Sequence, residues 1–217
     1  MTENREPICF DAMRARVVTE SVATTWTNAL PALTGHRLTL RELVPTDSLA
    51  LLSMLSTEEV AEFISPPPTT EQGFQKFIAW TKSERQVGRQ ITFGVVPEGC
   101  DQAVGLVQVR SIAPNFSTAE WGFALGSAFW GTGMFVDGGQ LIVDFAVETL
   151  NVGRLEARAC VANGRGNGAL RKLGAVQEGV LRRSFLKNGQ FLDQMLWSIL
   201  ADEWRQAKAV WGPGLVH

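Results

Sequence analysis

From position 37 the apolar positions follow two periods in turn. Arg37-Leu38-Thr39-Leu40-Arg41 puts an apolar side chain at every second residue, as a half-buried strand does. Pro45-Thr46-Asp47 then opens a helix through Leu55, and Ser56 to Glu59 has the spacing of a capping box for a second short helix, stopped by Pro66-Pro67-Pro68. Thr69 and Gln72 form another such box, opening a helix to about Val87 in which Phe74, Phe77, Ile78 and Lys82 recur at three and four. Strands are expected over 91–96, 103–110 and 118–125, separated by turn residues at 97–101 and 114–117. Between 134 and 150, Asp137, Gln140, Asp144 and Glu148 mark a wet helix face opposite Leu141, Ile142 and Phe145. A strand over 154–161, a short helix over 169–173 and final strands near 180–184 and 190–200 complete a β-rich α+β order. Residues 1–33 stand apart. Ile8, Phe10, Met13, Val17 and Val18 suggest one weak helical face, and Trp26 and Leu30 a second contact before Pro31.

Composition narrows the function classes. Twenty Lys and Arg against twenty-two Asp and Glu give a formal charge of −2, so no global basic field draws in nucleic acid or an anionic membrane. Cys9, Cys100 and Cys160 are odd in number and widely spaced, which argues against a disulfide framework or a paired metal site and fits a reducing cytoplasm. With only His36 and His217, a histidine-rich metal centre or a Ser-His-Asp triad is poorly supported, and no metal is expected. No window approaches the roughly 18 apolar residues of a membrane span. The chain contains no tyrosine, which removes a phenolic acid from any mechanism.

The most informative segment is Ala124-Leu125-Gly126-Ser127-Ala128-Phe129-Trp130-Gly131-Thr132-Gly133, a strand end feeding a two-glycine loop ahead of a helix. Such a loop leaves backbone N–H groups unpaired at the positive end of a helix dipole, which suits a pyrophosphate. Gly164-Arg165-Gly166-Asn167-Gly168 is a second glycine run, but its spacing is not that of a dinucleotide loop.

Four ordered blocks carry a resemblance: Glu120-Trp121-Gly122-Phe123-Ala124-Leu125 with Trp130-Gly131-Thr132-Gly133; Arg154-Leu155-Glu156-Ala157 with Asn163; Leu170-Arg171-Lys172-Leu173-Gly174-Ala175 with Glu178-Gly179-Val180-Leu181-Arg182; and Asn188-Gly189-Gln190-Phe191 with Asp193 and Trp197-Ser198-Ile199-Leu200. In these blocks residues 33–204 resemble the GNAT superfamily of acyl-CoA N-acyltransferases, and within it the branch of the ribosomal-protein N-acetyltransferases RimJ and RimL. The resemblance implies a three-layer fold with a mixed, mainly antiparallel sheet flanked by helices and splayed between its fourth and fifth strands. It implies an extension over 1–33, an acetyltransferase domain over 34–204 and a tail over 205–217.

It also implies acetyl-CoA as co-substrate and a primary amine as acceptor: a protein N-terminus, an amino acid or a small-molecule amine. The pantetheine arm would pair with backbone near Phe123 and Leu125, with Ala124 a further cofactor contact between them, and the pyrophosphate would rest on Trp130, Gly131, Thr132, Gly133 and Met134. Asn163, Asn167 and Lys172 are expected as further cofactor contacts. Glu120 is the expected base, its bland alternative being a partner for Arg110, and Cys160 is the one nearby candidate acid, its alternative being simple packing. Trp80, Trp121, Phe116, Phe185 and Trp197 are candidates for an acceptor cleft, with Pro66-Pro67-Pro68 and Arg182-Arg183 at its approach. Two departures stand out: Val136-Asp137-Gly138-Gly139 replaces a Thr-Glu-Ala run, and Gly166 replaces the serine that often meets the cofactor. A monomer or homodimer is expected. The alternative function is an acyl-CoA-binding protein without turnover.

Overall fold

A computed structural model describes residues 25–211. The weak helical face expected from Ile8 to Val18 lies outside the described residues. Eight strands form one sheet: β1 (Leu33–Thr34), β2 (Leu38–Glu42), β3 (Gln90–Pro97), β4 (Gly105–Ser111), β5 (Thr118–Leu125), β6 (Arg154–Cys160), β7 (Val176–Lys187) and β8 (Gln190–Leu200). Their order is β1-β2-β3-β4-β5-β6-β8-β7. Every neighbouring pair is antiparallel except β5 and β6, which are parallel. The helices are α1 (Thr25–Asn28), α2 (Ser48–Leu55), α3 (Glu58–Ala61), α4 (Glu71–Gln86), α5 (Met134–Glu148), α6 (Gly164–Lys172) and α7 (Ala201–Trp211). Among the described residues no helix is long and apolar enough to cross a membrane.

Strand alternation divides the core into two layers. One set of side chains, including Leu38, Leu40, Phe93, Val107, Trp121 and Leu155, packs against Ile142, Val143 and Phe145 of α5. The other, with Leu43 and Val96, packs against Leu51, Leu55, Phe74 and Ile78 of α2 and α4. The central strand β3 is buried along its whole length.

Three expected details change. The helix cap before α4 is Thr70, one residue later than expected, and its hydroxyl accepts from the Gly73 N–H at 3.0 Å. Ser56 caps nothing; its hydroxyl donates to the Pro68 carbonyl at 3.3 Å. The glycine run after β6 is helical from Gly164, although each helical glycine costs about 1 kcal/mol against alanine. Side-chain anchors offset that cost: the Asn163 side chain caps the Gly166 N–H at 2.8 Å, and the buried Asn167 donates to the Cys160 carbonyl at 2.8 Å while accepting from Trp197 Nε1 at 2.9 Å. An added Cβ on Gly166 would stand 2.7 Å from Asn163 Nδ2, so the cap occupies the space where a serine would sit.

Past Trp204 the chain continues in helix α7 as far as it is described. Helix α7 lies on α5, with Trp204 Nε1 donating to Asp144 Oδ1 at 2.8 Å, Lys208 Nζ to Asp144 Oδ2 at 2.7 Å and Arg205 Nε to Glu148 Oε1 at 3.0 Å. The wet face of α5 is therefore partly a docking face. Asp202 and Glu203 in the first turn and Lys208 in the last carry the sequence signal for this helix.

One buried charge ties the start of α2 to the sheet. Asp47 is fully buried and takes both nitrogens of the Arg41 fork at 2.8 Å, the Val44 N–H at 2.9 Å and the Ala103 N–H at 3.0 Å. Burial alone would raise this carboxyl; Arg41 and the two backbone donors outweigh it and hold it below the usual carboxylate range. Its contribution is therefore complete above pH about 4, where an unfolded Asp is already ionised, and falls away as pH drops through the lower folded value. Asp47→Asn is expected to lose about 3 kcal/mol of unfolding free energy at neutral pH. Denaturant titrations of both proteins from pH 7 down to 3 should show the deficit narrowing in acid.

Candidate active site

The geometry of the site begins with a fork. β5 and β6, the expected fourth and fifth strands once the two-residue β1 is set aside, pair only at Thr118↔Arg154, Ala119↔Leu155 and Glu120↔Glu156. Beyond Glu120, β5 stays paired to β4 as far as Leu125, and β6 stays paired to β8 as far as Cys160, so the strands part with facing edges unbonded. Phe135, in the first turn of α5, packs against Trp121 and Phe123 with ring centroids 6.1 and 5.1 Å apart and fills the floor of the opening together with Leu170. The resulting cleft has a volume of about 820 Å³.

Glu120 stands at the vertex. It lines the cleft with its side chain 23% exposed, and Oε2 accepts from Arg110 Nη2 at 2.8 Å across the β4–β5 pair. The two readings of this residue coexist: it is Arg110's partner and it faces the opening. Phe123, Ala124 and Asn163 also line the cleft.

At the open end lies the glycine loop. Gly131 and Gly133 have φ of 75° and 88°, values that L side chains rarely adopt. Gly133 is the N-cap of α5 and offers no side chain to it. Among the described residues nothing hydrogen-bonds to the N–H groups of Gly131, Thr132 and Gly133, while the Thr132 hydroxyl turns back to the Phe129 carbonyl at 2.7 Å. This is a free row of donors at a helix start. Trp130 closes the loop onto β5: its Nε1 donates to the Leu125 carbonyl at 2.8 Å. Arg165 of α6 lies over the Trp130 ring at 3.8 Å and joins the two lips of the fork.

Cys160, Asn167 and Lys172 are not among the residues that line the cleft. Cys160 is buried, belongs to neither core cluster and does not line the cleft; burial pushes its thiol up, against a smaller opposing effect of Lys187. The Asn167 carboxamide is engaged on both sides by Cys160, Asn163 and Trp197. Lys172 sits exposed in the last turn of α6. Of the aromatic candidates, Trp121 and Phe185 line the cleft, whereas Phe116 packs on Trp26, Trp197 is core and Trp80 is 44% exposed beside Phe77. Pro66-Pro67-Pro68 do line it.

Sequence reading missed two cations. The Arg37 Nε lies 3.2 Å from where a Cβ on Gly133 would be, and among the described residues its guanidinium has no carboxylate partner. The backbone N–H of Arg37 donates to Asp137 Oδ2 at 2.8 Å, which fixes its place beside the loop. The loop itself carries no cation, Ala128 and Thr132 being neutral, but a partner a hundred positions upstream leaves no local signal. Lys187 donates to the carbonyls of Ala61 and Ile64 at 2.7 and 2.8 Å and so pins the loop that roofs the cleft.

The sequence profile of the acetyltransferase (GNAT) domain matches residues 37–176. The uncharacterized N-acetyltransferase p20 of Bacillus licheniformis is 26% identical over 176 residues, 81% of this chain and 99% of its own. The solved ribosomal-protein-S5-alanine acetyltransferase of Vibrio fischeri superposes with a TM-score of 0.72 at 19% identity, covering 81% of this chain and 99% of that one. Mycobacterium smegmatis RimJ, solved in complex with CoA-disulfide, gives 0.71 at 18% identity, covering 78% and 88%. At these identities the two structures establish a shared fold.

The contrast between the two described thiols gives a direct check. Cys100 is exposed and Cys160 buried with its thiol held protonated. Under native conditions iodoacetamide should label Cys100 promptly and Cys160 only after denaturation, as read by peptide mass mapping.

Proposed function

This chain belongs to the GNAT acetyltransferase family, and on that footing we propose that it transfers an acetyl group from acetyl-CoA to a primary amine by direct attack in a ternary complex. The observation that carries the reading is the fork itself: two strand edges left unbonded beyond Glu120, ending at a glycine loop whose N–H groups have no partner.

The pyrophosphate rests on the N–H groups of Gly131, Thr132 and Gly133, with the Arg37 guanidinium alongside as the cation the loop lacks. The thioester arm runs down the edge of β5 past Phe123 and Ala124, and strand-like hydrogen bonding suits its amides. The amine enters beneath Pro66-Pro67-Pro68 and meets Glu120, which accepts its proton directly or through one water while Arg110 orients the carboxylate. The neutral nitrogen then adds to the thioester carbonyl, the fork-facing backbone N–H of Phe123 supports the oxyanion, and the C–S bond breaks.

No side chain is assigned as acid for the thiolate. Tyrosine is absent from the chain, Gly166 stands where the family resemblance leads one to expect a serine, and the Cys160 thiol lies off the cleft wall. The proton reaches sulfur from the nitrogen that has just attacked, or through water.

Isothermal titration with CoA tests the seat. Gly131→Glu, whose carboxylate points into open space where the phosphates rest, should remove measurable binding from a folded protein. Arg37→Met should weaken acetyl-CoA by about tenfold yet leave S-acetylpantetheine, which has no phosphate, unchanged. For the base, Glu120→Gln should lower turnover by roughly 10²–10⁴-fold near neutral pH, with partial recovery in alkali where the amine deprotonates unaided. A pH–rate profile that scales down without changing shape would remove Glu120 from this role.

A further inference from the structure

The charged groups on the cleft wall do not balance. Three ionisable side chains line it: Arg110, Glu120 and Arg158. Arg110 and Glu120 satisfy each other at 2.8 Å, which leaves the Arg158 guanidinium. Its nearest carboxylate is Glu156 Oε2 at 4.0 Å, and the other oxygen of Glu156 already accepts from Arg154 Nε at 2.8 Å. Arg158 is 37% exposed and has no hydrogen bond of its own among the described residues.

Register places this cation opposite the reacting end of the cleft. Glu120 pairs with Glu156 in the last bonded step of the parallel strands, so Arg158 occupies the step at which Gly122 would be its neighbour had the strands not parted. Two-residue periodicity puts Glu120 and Gly122 on one face of β5, and Glu156 and Arg158 on the matching face of β6. Gly122 carries no side chain into the gap, and a Cβ there would meet nothing within 4 Å. The space between the Glu120 carboxylate and the Arg158 guanidinium is therefore open, one step of roughly 7 Å along the strand plus the width of the opening.

We propose that the acceptor is an amine that also carries a carboxylate, with its nitrogen at Glu120 and its carboxylate on the Arg158 fork. This rests on the reading of Glu120 as the place where the amine is received. A guanidinium offers two parallel donors to a carboxylate and stays charged throughout the working pH range. A cleft wall with two arginines and one glutamate repels a second ammonium, so diamines and polyamines are disfavoured even though the protein as a whole is acidic.

Matched acceptors of equal length test it: 4-aminobutyrate and 5-aminopentanoate against 1,4-diaminobutane and 1,5-diaminopentane, with the tripeptide amides Ser-Glu-Gly and Ser-Lys-Gly as larger probes, all followed by CoA release. The wild-type protein should favour the carboxylate member of the pairs it accepts. Arg158→Gln should raise KM for that member about 10- to 100-fold with kcat little changed and CoA affinity unaltered. Arg158→Glu should reverse the preference towards the dication. Equal use of both members by the wild type, or a preference that survives Arg158→Glu, overturns the proposal. A wild type that binds CoA but acetylates none of these probes overturns it too. A wild type that turns over acceptors while Glu120→Gln is fully active, with the Arg158 effects intact, instead overturns the role of Glu120 and leaves the anion site standing.

Discussion

The parting of β5 and β6 is the constraint on which the rest of this structure depends. Backbone donors and acceptors rarely go unpaired inside a fold, and a parallel pair normally continues until one strand ends. Here both strands run on after they stop bonding to each other, because each is held from its far side: β5 by β4 through Leu125, and β6 by β8 through Cys160. Phe135 and Leu170 fill the floor, so the edges neither collapse together nor open into the core. The gap leaves two strand edges unbonded, and at its vertex stands the carboxylate of Glu120.

Close approach by the two helices that flank the fork requires unusual local sequences. Gly138 and Gly139 look like faults in a helix, yet a Cβ on Gly138 would crowd Phe123 Cε2 at 3.2 Å and one on Gly139 would meet Leu173 Cδ2 at 2.9 Å. The missing side chains let α5 sit against β5 and α6 at once. Helix α6 has weak intrinsic propensity and is held by specific bonds, with Asn163 over Gly166 and Asn167 wedged between Cys160 and Trp197. Of the two asparagines expected at the ligand, Asn163 lines the cleft and Asn167 sits behind it, bonded to Cys160 and Trp197.

The fold was largely legible because its strongest signals are local. Alternation at Arg37–Arg41, the strand from Thr118 to Leu125 and the helix that starts at Met134 need only neighbouring residues to be recognised. The final strand, Gln190–Leu200, follows the same rule, and the GNAT likeness held over the profile match at 37–176. What escaped was set by distant contacts. The helix at Gly164 depends on buried partners from β6 and β8, and the docking of α7 depends on Asp144 and Glu148 of α5. Arg37, Lys187 and Arg158 acquire a place in the site only when the sheet brings them to it, and nothing in their own sequence neighbourhoods distinguishes them from solvated cations. The cap before α4 slipped by one because Thr69 and Thr70 are adjacent, and only backbone geometry chooses between them.

Hydrogen exchange of individual amides, with and without acetyl-CoA, tests the central claim most directly, since it asks whether the unbonded edges of the fork are where the acyl donor lies. The account predicts slowed exchange at two separate runs, the β5 amides between Trp121 and Leu125 that face away from β4 and the loop amides of Gly131, Thr132 and Gly133, with little change along β7. Slowed exchange confined to β7 and β8, or none in either run at saturating acetyl-CoA, would contradict it.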